Sequence, residues 1–386
     1  SADAKPAPTT KEFPAGSYIV RMDQPYSRIA DMMLDKQYWS PNDPQRNIYD
    51  DTAWTFGELA NIQVIRVTDA KALSAAMEKV SGPVKSAGGV MGSGGSYLVN
   101  HNADNSLITL RYRLRNATFE VAEDGFDAAG TKFNRGSFII TNVDKTELEK
   151  AVTELGIKAY AVDTPPSVRK HAGRAARVAV MHTWLSTQDE GWWRLELDKY
   201  KVPYDYISTQ DIAKAGNLNA KYDVIIFAPV GRGNPQGIVT GQPMYGNPLP
   251  WKKTDATPNI GGFAETDDMR PGLGWQGLEA LQNYVRNGGV LITANDTAQF
   301  AVNFSFGAGV SISSSQRLRV PGTVVKSKTV DAASPILYGY SDGLPIFCSS
   351  GPIFNVSSVV GGRGGRRNQG DGGDRLTGRG GPDDPD

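Results

Sequence analysis

Residues 177–230 limit the fold more than any other stretch, because they read as one strand, helix, strand, strand unit of a parallel sheet. An apolar run at 177–181 (Arg-Val-Ala-Val-Met) leads into a polar turn over 182–191. Residues 192–200 (Trp-Trp-Arg-Leu-Glu-Leu-Asp-Lys-Tyr) then read as an amphipathic helix that has to stop before Pro203, which offers no amide hydrogen. A second strand is expected at 204–207, a short helical turn at 211–215 ended by Gly216, and a third strand at 222–228. The continuous apolar character of that third strand suits a parallel sheet covered on both faces. Farther on, 277–286 reads as a helix followed by Gly288-Gly289, and 290–293 as a fourth strand. Strands alternating with helices of this length predict an α/β layer fold, here a flavodoxin-like, doubly wound parallel sheet spanning 175–359.

At 386 residues the chain is long enough for two or three domains with their own cores. Lysine plus arginine and aspartate plus glutamate number 41 each, so no net field draws the protein to nucleic acid or to anionic lipid. The single cysteine, Cys348, has no partner for a disulfide. No run approaches the roughly 20 apolar residues of a membrane span, and the first residues do not read as a signal peptide. Residues 1–12 are expected to be a linker, and a chain that opens on a linker is expected to be cut from something longer. Residues 360–386, rich in Gly, Arg and Asp, are likewise expected to be a linker or loop, since they hold too little apolar surface to order themselves. Acidic residues interrupt the Arg-Gly tract and no aromatics are interleaved, so no nucleic-acid partner is expected.

Residues 13–165 read as a mixed, β-rich α+β domain with an internal echo. Phe-Pro-Ala-Gly-Ser-Tyr-Ile-Val at 13–20 returns as Phe-Asn-Arg-Gly-Ser-Phe-Ile-Ile at 133–140, each followed by a helix, over 26–35 and 145–155. The echo predicts two equivalent edges of one domain. Alternation at 62–67 predicts a strand, as do the runs 95–99 and 118–121. Leu107, Leu110 and Leu114 stand at helical spacing beside Arg111, Arg113 and Arg115, so 105–114 reads as a helix with a basic face. The glycine-rich stretch 88–95 matches neither a phosphate loop nor a dinucleotide fingerprint and reads as a turn. The aromatic and aspartate-rich loop 37–56 reads as a structural lid rather than a sugar or cation site.

Several segments together bear a resemblance that composition does not. They are 13–39, Tyr-Asp-Asp-Thr-Ala-Trp-Thr-Phe-Gly at 49–57, Asn-His-Asn-Ala-Asp-Asn at 100–105, the run 182–193, Pro-Leu-Pro-Trp-Lys-Lys at 248–253, and 267–275. Spread over nearly the whole chain, they resemble the region that follows the catalytic domain in large bacterial zinc carboxypeptidase-like proteins. The resemblance implies that the unit from 177 onward is a class I glutamine-amidotransferase-like domain, that the protein is extracytoplasmic (periplasmic or secreted), and that its partner is the catalytic carboxypeptidase-like domain or fragment. Self-association into a homo-oligomer is a further expectation. Zinc is expected only on a missing catalytic domain: the peptidase motif is His-x-x-Glu, and none of His101, His171 and His182 has glutamate at the third following position. The amidotransferase-like unit departs from its family as well. An active member needs a cysteine on the turn after a central strand and a later histidine; here strand 290–293 runs into Ala-Asn-Asp-Thr, and no histidine follows His182.

Ligands of open α/β sheets lie beyond the carboxyl ends of the strands. The loops expected there bring His182, Thr183, Asp189, Glu190, Arg232 and Asp296 to one edge, walled by Trp184, as ligand-binding candidates. The alternative is that His182 and Asp189 are hydrogen-bonded loop residues and Trp192 and Trp193 ordinary packing aromatics. Glu265, Asp267 and Asp268 could cradle calcium, but Arg270 beside them argues for a salt-bridged turn. No catalytic residue and no metal ligand is assigned. The expected function is thus an accessory, non-catalytic portion of a carboxypeptidase-like protein, for substrate presentation or assembly. A stand-alone peptide- or glycan-binding module, and a hydrolase centred on His182, are the alternatives.

Overall fold

The computed structural model describes residues 11–14, 16–36, 42, 44, 55–60, 62–184, 186–231, 234–313, 322–340, 343–348 and 352–357. Most of the loop 37–56, Arg232, most of the expected linker at 1–12 and all of 360–386 lie outside the described residues. The chain has both helices and strands, arranged in mixed and parallel sheets.

The first part holds helices α1 (Ser27–Leu34) and α2 (Phe56–Leu59). The strand expected at 62–67 does not form: Ile62, Val64 and Val67 are exposed, and among the described residues no strand forms a ladder with them. Alternation is necessary for a half-buried strand, but a ladder partner is what makes one. Arg66 instead ties this stretch to Asp31 and Asp35 of the α1 region.

The echo divides in the same way. In both copies the glycine has positive φ, 89° at Gly16 and 87° at Gly136. In both, the next serine donates its hydroxyl to the carbonyl three residues back, Ser17 to Pro14 at 2.8 Å and Ser137 to Asn134 at 2.6 Å. Only the second copy continues into a paired strand, so the first is not an equivalent sheet edge. Side chain and glycine suffice for the turn, whereas pairing depends on what lies alongside.

Residues 89–172 build a six-stranded sheet from β1 (Gly89–Gly92), β2 (Ser96–Val99), β3 (Thr118–Ala122), β6 (Phe138–Thr141), β7 (Lys158–Val162) and β8 (Lys170–Ala172), with the small hairpin β4 (Phe126–Ala128) and β5 (Thr131–Phe133) beside it. The strand order is β1-β7-β2-β6-β3-β8, with β1 parallel to β7 and the other pairs antiparallel. Helices α3 (Ser106–Arg113) and α4 (Lys145–Leu155) cover one face. Tyr97, Val99, Ile140 and Ala159 point to them, while Leu98, Ile139 and Tyr160 point to the hairpin side, as a period of two requires. The α4 boundaries coincide with expectation because both ends are written locally. Asp144 accepts from the Glu147 amide at 2.8 Å, and Gly156 (φ 70°) closes the last turn.

Residues 178–293 build a four-stranded parallel sheet from β9 (Val178–His182), β10 (Tyr204–Ser208), β11 (Val224–Phe227) and β12 (Val290–Thr293), in the order β10-β9-β11-β12. The connections carry α5 (Gln188–Lys199), α6 (Thr209–Ile212), α7 (Leu218–Lys221), α8 (Pro235–Thr240) and α9 (Gly274–Arg286), and α10 (Asp296–Asn303) follows β12. Every residue of β9 is buried. Ala179 and Met181 face Leu278, Leu281, Tyr284 and Phe300; Val178 and Val180 face Val202, Leu197 and Trp193. Tyr112 of α3 enters this second core and donates its hydroxyl to the Ala176 carbonyl at 2.8 Å. One helix thereby serves both sheets.

Beyond α10 the described residues form antiparallel pairs: β13 (Val310–Ser313) with β16 (Ile353–Val356), and β14 (Thr323–Lys326) with β15 (Pro345–Cys348). Between them, residues 331–340 return to the first sheet. Arg135 donates to the carbonyls of Ala332 and Ala333, and the Tyr338 ring lies over Gly136, where a larger residue would clash.

Candidate functional site

His182 is the last residue of β9, at the carboxyl edge of the parallel sheet, and is only 2% exposed. Its Cα partner across the ladder is Ser208, so Tyr206, two residues earlier on β10, lies on the same face. The two rings stack with centroids 4.1 Å apart and 12° between planes, and Trp184 meets the imidazole edge-on at 4.9 Å. The His182 Nδ1 lies 3.3 Å from the Thr183 carbonyl oxygen. A carbonyl only accepts, so the proton sits on Nδ1 and Nε2 presents a lone pair. Burial holds the imidazole neutral, with its pKa pushed down to about 4.

Glu190 stands in the first turn of α5, where a carboxylate suits the helix dipole, yet it is only 3% exposed. Tyr206 donates its hydroxyl to Glu190 Oε1 at 2.6 Å. Burial raises the carboxyl pKa, and burial together with this bond raises that of the phenol. Arg194, one turn along α5, lies 3.8 Å from the same carboxylate. Its guanidinium sits between the rings of Tyr206 (4.2 Å) and Phe263 (4.4 Å). Phe263 belongs to the long excursion over 241–273 and reaches this site through Arg194.

Three side-chain atoms here are buried without a hydrogen-bond partner: His182 Nε2, Trp184 Nε1 and Glu190 Oε2. Each such atom costs about 1–3 kcal/mol when left unmatched, and the three belong to neighbouring side chains: Trp184 meets the His182 ring, which stacks on Tyr206, the donor to Glu190. The set is an acceptor, a donor and an acceptor.

Thr183 stays beside His182 through its carbonyl, while the Asp189 and Asp296 carboxylates are directed to the loop after β11. Asp189 directs Oδ2 toward Gly231, in the loop after β11. Asp296 accepts from the Val230 amide at 3.0 Å, and Thr297 donates to the Phe227 carbonyl at 2.7 Å, so both staple the ends of β11 and β12. The Asp296 carboxylate is thereby tied to the loop after β11, the strand beside β9. Asn295, at the turn between β12 and α10, has φ 53° and ψ −118°, a strained conformation for any residue with a Cβ. Cys348 lies on β15, which packs against α2, while the ring contacts of His182 are with Trp184 and Tyr206. Asp267 pairs with Lys252 at 2.5 Å and Asp268 forks onto Arg270 at 2.7 and 2.8 Å, which is the salt-bridged turn and not a calcium cradle. Trp192 is exposed and Trp193 packs in the second core.

Comparison with protein families, with curated proteins and with solved structures finds no match. The site therefore has to be read from its own chemistry. Among the described residues no group of three or more His, Cys, Asp and Glu side chains is placed to hold a metal ion, and no helix is long and apolar enough to cross a membrane. Sequence reasoning missed Tyr206, Arg194 and Phe263. Arg194 was legible as the i+4 neighbour of Glu190, and Tyr206 as the same-face residue before the strand end; nothing local marks Phe263.

Proposed function

We propose that this chain is the accessory, non-catalytic portion of a bacterial, extracytoplasmic zinc carboxypeptidase-like protein. In this reading its flavodoxin-like, amidotransferase-like unit holds an amide group of a peptide at the His182 pocket without reacting on it. The observation that carries the binding half is the buried trio of unmatched atoms. A primary amide offers one N–H to His182 Nε2, the other to Glu190 Oε2, and its carbonyl oxygen to the indole N–H of Trp184. The stacked rings of His182, Tyr206 and Arg194 supply a rigid wall. The non-catalytic half is supported by Asn295 at the strained turn, where an amide offers no nucleophile.

Two experiments test the halves separately. Titration with N-acetylalanine amide should raise the melting temperature saturably, and Trp184→Phe or Glu190→Gln should weaken binding roughly tenfold, the loss of one buried hydrogen bond. Absence of a shift at millimolar amide, or a shift unchanged in both variants, removes the binding reading and leaves the trio to an ordered water. For the accessory half, intact mass and metal content are measured on protein from its native source. A co-purifying chain with His-x-x-Glu and one equivalent of zinc supports it; a lone chain without zinc sinks it.

A further inference from the structure

The basic face of α3 is not used by the His182 pocket. Its two arginines diverge: Arg113 pairs with Glu154 at 2.6 Å, whereas Arg111 turns the other way, together with Arg115 just past the helix end. There they meet Arg174, on the segment that leads into β9, around a cavity of about 320 Å3 between the two sheets. Tyr112, Ala175, Ala176 and Pro203 complete its walls, and among the described residues no carboxylate lines it.

Three guanidinium groups around one cavity repel one another unless an anion joins them. None of the three forms an ion pair among the described residues. Asp223, the carboxylate that feels the charge of Arg174, is already engaged by the Arg177 fork at 2.8 and 3.0 Å. Two of the cavity arginines are held in place by backbone. Arg111 Nε donates to the Gly173 carbonyl and its Nη1 to Leu114 at 3.3 Å, and Arg115 Nε donates to Tyr112 at 3.1 Å. These bonds consume Nε and leave terminal N–H groups to offer. Preorganised guanidinium groups suit tetrahedral oxyanions, to which each donates paired hydrogen bonds. Burial lowers the Arg111 pKa, an expense that an anion in the cavity would offset.

We propose that this cavity is a binding site for a phosphoryl dianion, either free phosphate or the phosphate of a small ester. Its walls come from α3 of the first sheet layer, from the segment before β9 and from Pro203 before β10, so the bound dianion bridges the two sheets.

The test is isothermal titration of the full chain, at constant ionic strength, with inorganic phosphate, pyrophosphate and glucose 6-phosphate. Saturable binding of at least one is expected, and the order of the three separates free phosphate from an ester as its source. Arg115→Gln and Arg174→Gln, both at exposed positions, should each weaken binding about tenfold or more, the loss of a charge-assisted hydrogen bond. Arg113→Gln, on the same helix with the same change in charge but outside the cavity, should leave affinity within about twofold. Absence of saturable binding by the unmodified chain overturns the proposal. So does an equal loss in all three variants, which would reveal only diffuse charge attraction.

Discussion

At the scale of single residues, burial sets opposite tendencies on two neighbours. His182 has its pKa depressed to about 4, so the folded state resists a proton that the unfolded chain accepts near 6.5. Its contribution is complete above that value and is lost as pH falls toward 4, by about 3 kcal/mol at most. Glu190 works the other way: its raised pKa favours the folded state at low pH, and that stabilisation is lost as pH rises through the folded value. Denaturant unfolding between pH 4 and 8 should therefore show a steeper acid decline in Glu190→Gln and a flat or reversed one in His182→Gln. Identical pH slopes for all three proteins would contradict this assignment. Asn295 makes a second prediction at this scale. Asn295→Gly should stabilise the fold by about 0.5–1 kcal/mol, read from the denaturant midpoint, because glycine adopts φ 53° without strain.

Among the elements, what could be read from the chain was whatever is settled within a turn or two. The α4 helix has its cap at Asp144 and its stop at Gly156, and its expected bounds are the observed ones. Strand β9 and helix α9 follow from apolar runs and the glycines after them. The stretch 62–67 and the first copy of the echo were misread because alternation says which side chains would face a core and not whether a neighbouring strand exists. Likewise His182, Trp184 and Glu190 stood close enough in sequence to be grouped, while the bond from the Val230 amide to Asp296 joins residues far apart in sequence and has no local signal. Phe263 reaches Arg194 through the excursion over 241–273, whose feet are stitched by Gln242 to Arg270 at 2.8 Å and Leu273 to Ile238 at 2.9 Å. Gly241, at φ 72°, sits in that neck against the Arg270 carbonyl and the Gly272 amide, with no room for a methyl group. Gly241→Ala should cost at least about 2 kcal/mol and bring the neck out of register. A thermal melt unchanged from the parent protein would refute the fit.

For the whole molecule, α3 decides how the layers behave together. Leu107 and Leu110 belong to the core beneath the six-stranded sheet, and Tyr112 to the core of the parallel one. Thr109 adds a bond to the Tyr200 carbonyl at 2.8 Å. Tyr112→Ala should cost about 3–5 kcal/mol and split a single calorimetric transition into two, since the side chain that joins the cores is gone. One undivided peak in the variant would mean that the layers are coupled by other contacts. The stitched neck has a practical corollary. Because the excursion leaves and re-enters the sheet layer through one fixed doorway, the entropy of closing it depends only weakly on its length. Its far end, around Asp255 and Ala256, is exposed chain secured locally by Thr254 and Thr257. A fluorescent reporter or an affinity tag could be spliced there with the parallel sheet none the wiser, turning the excursion beside Arg194 into an optical readout of whatever enters the pocket.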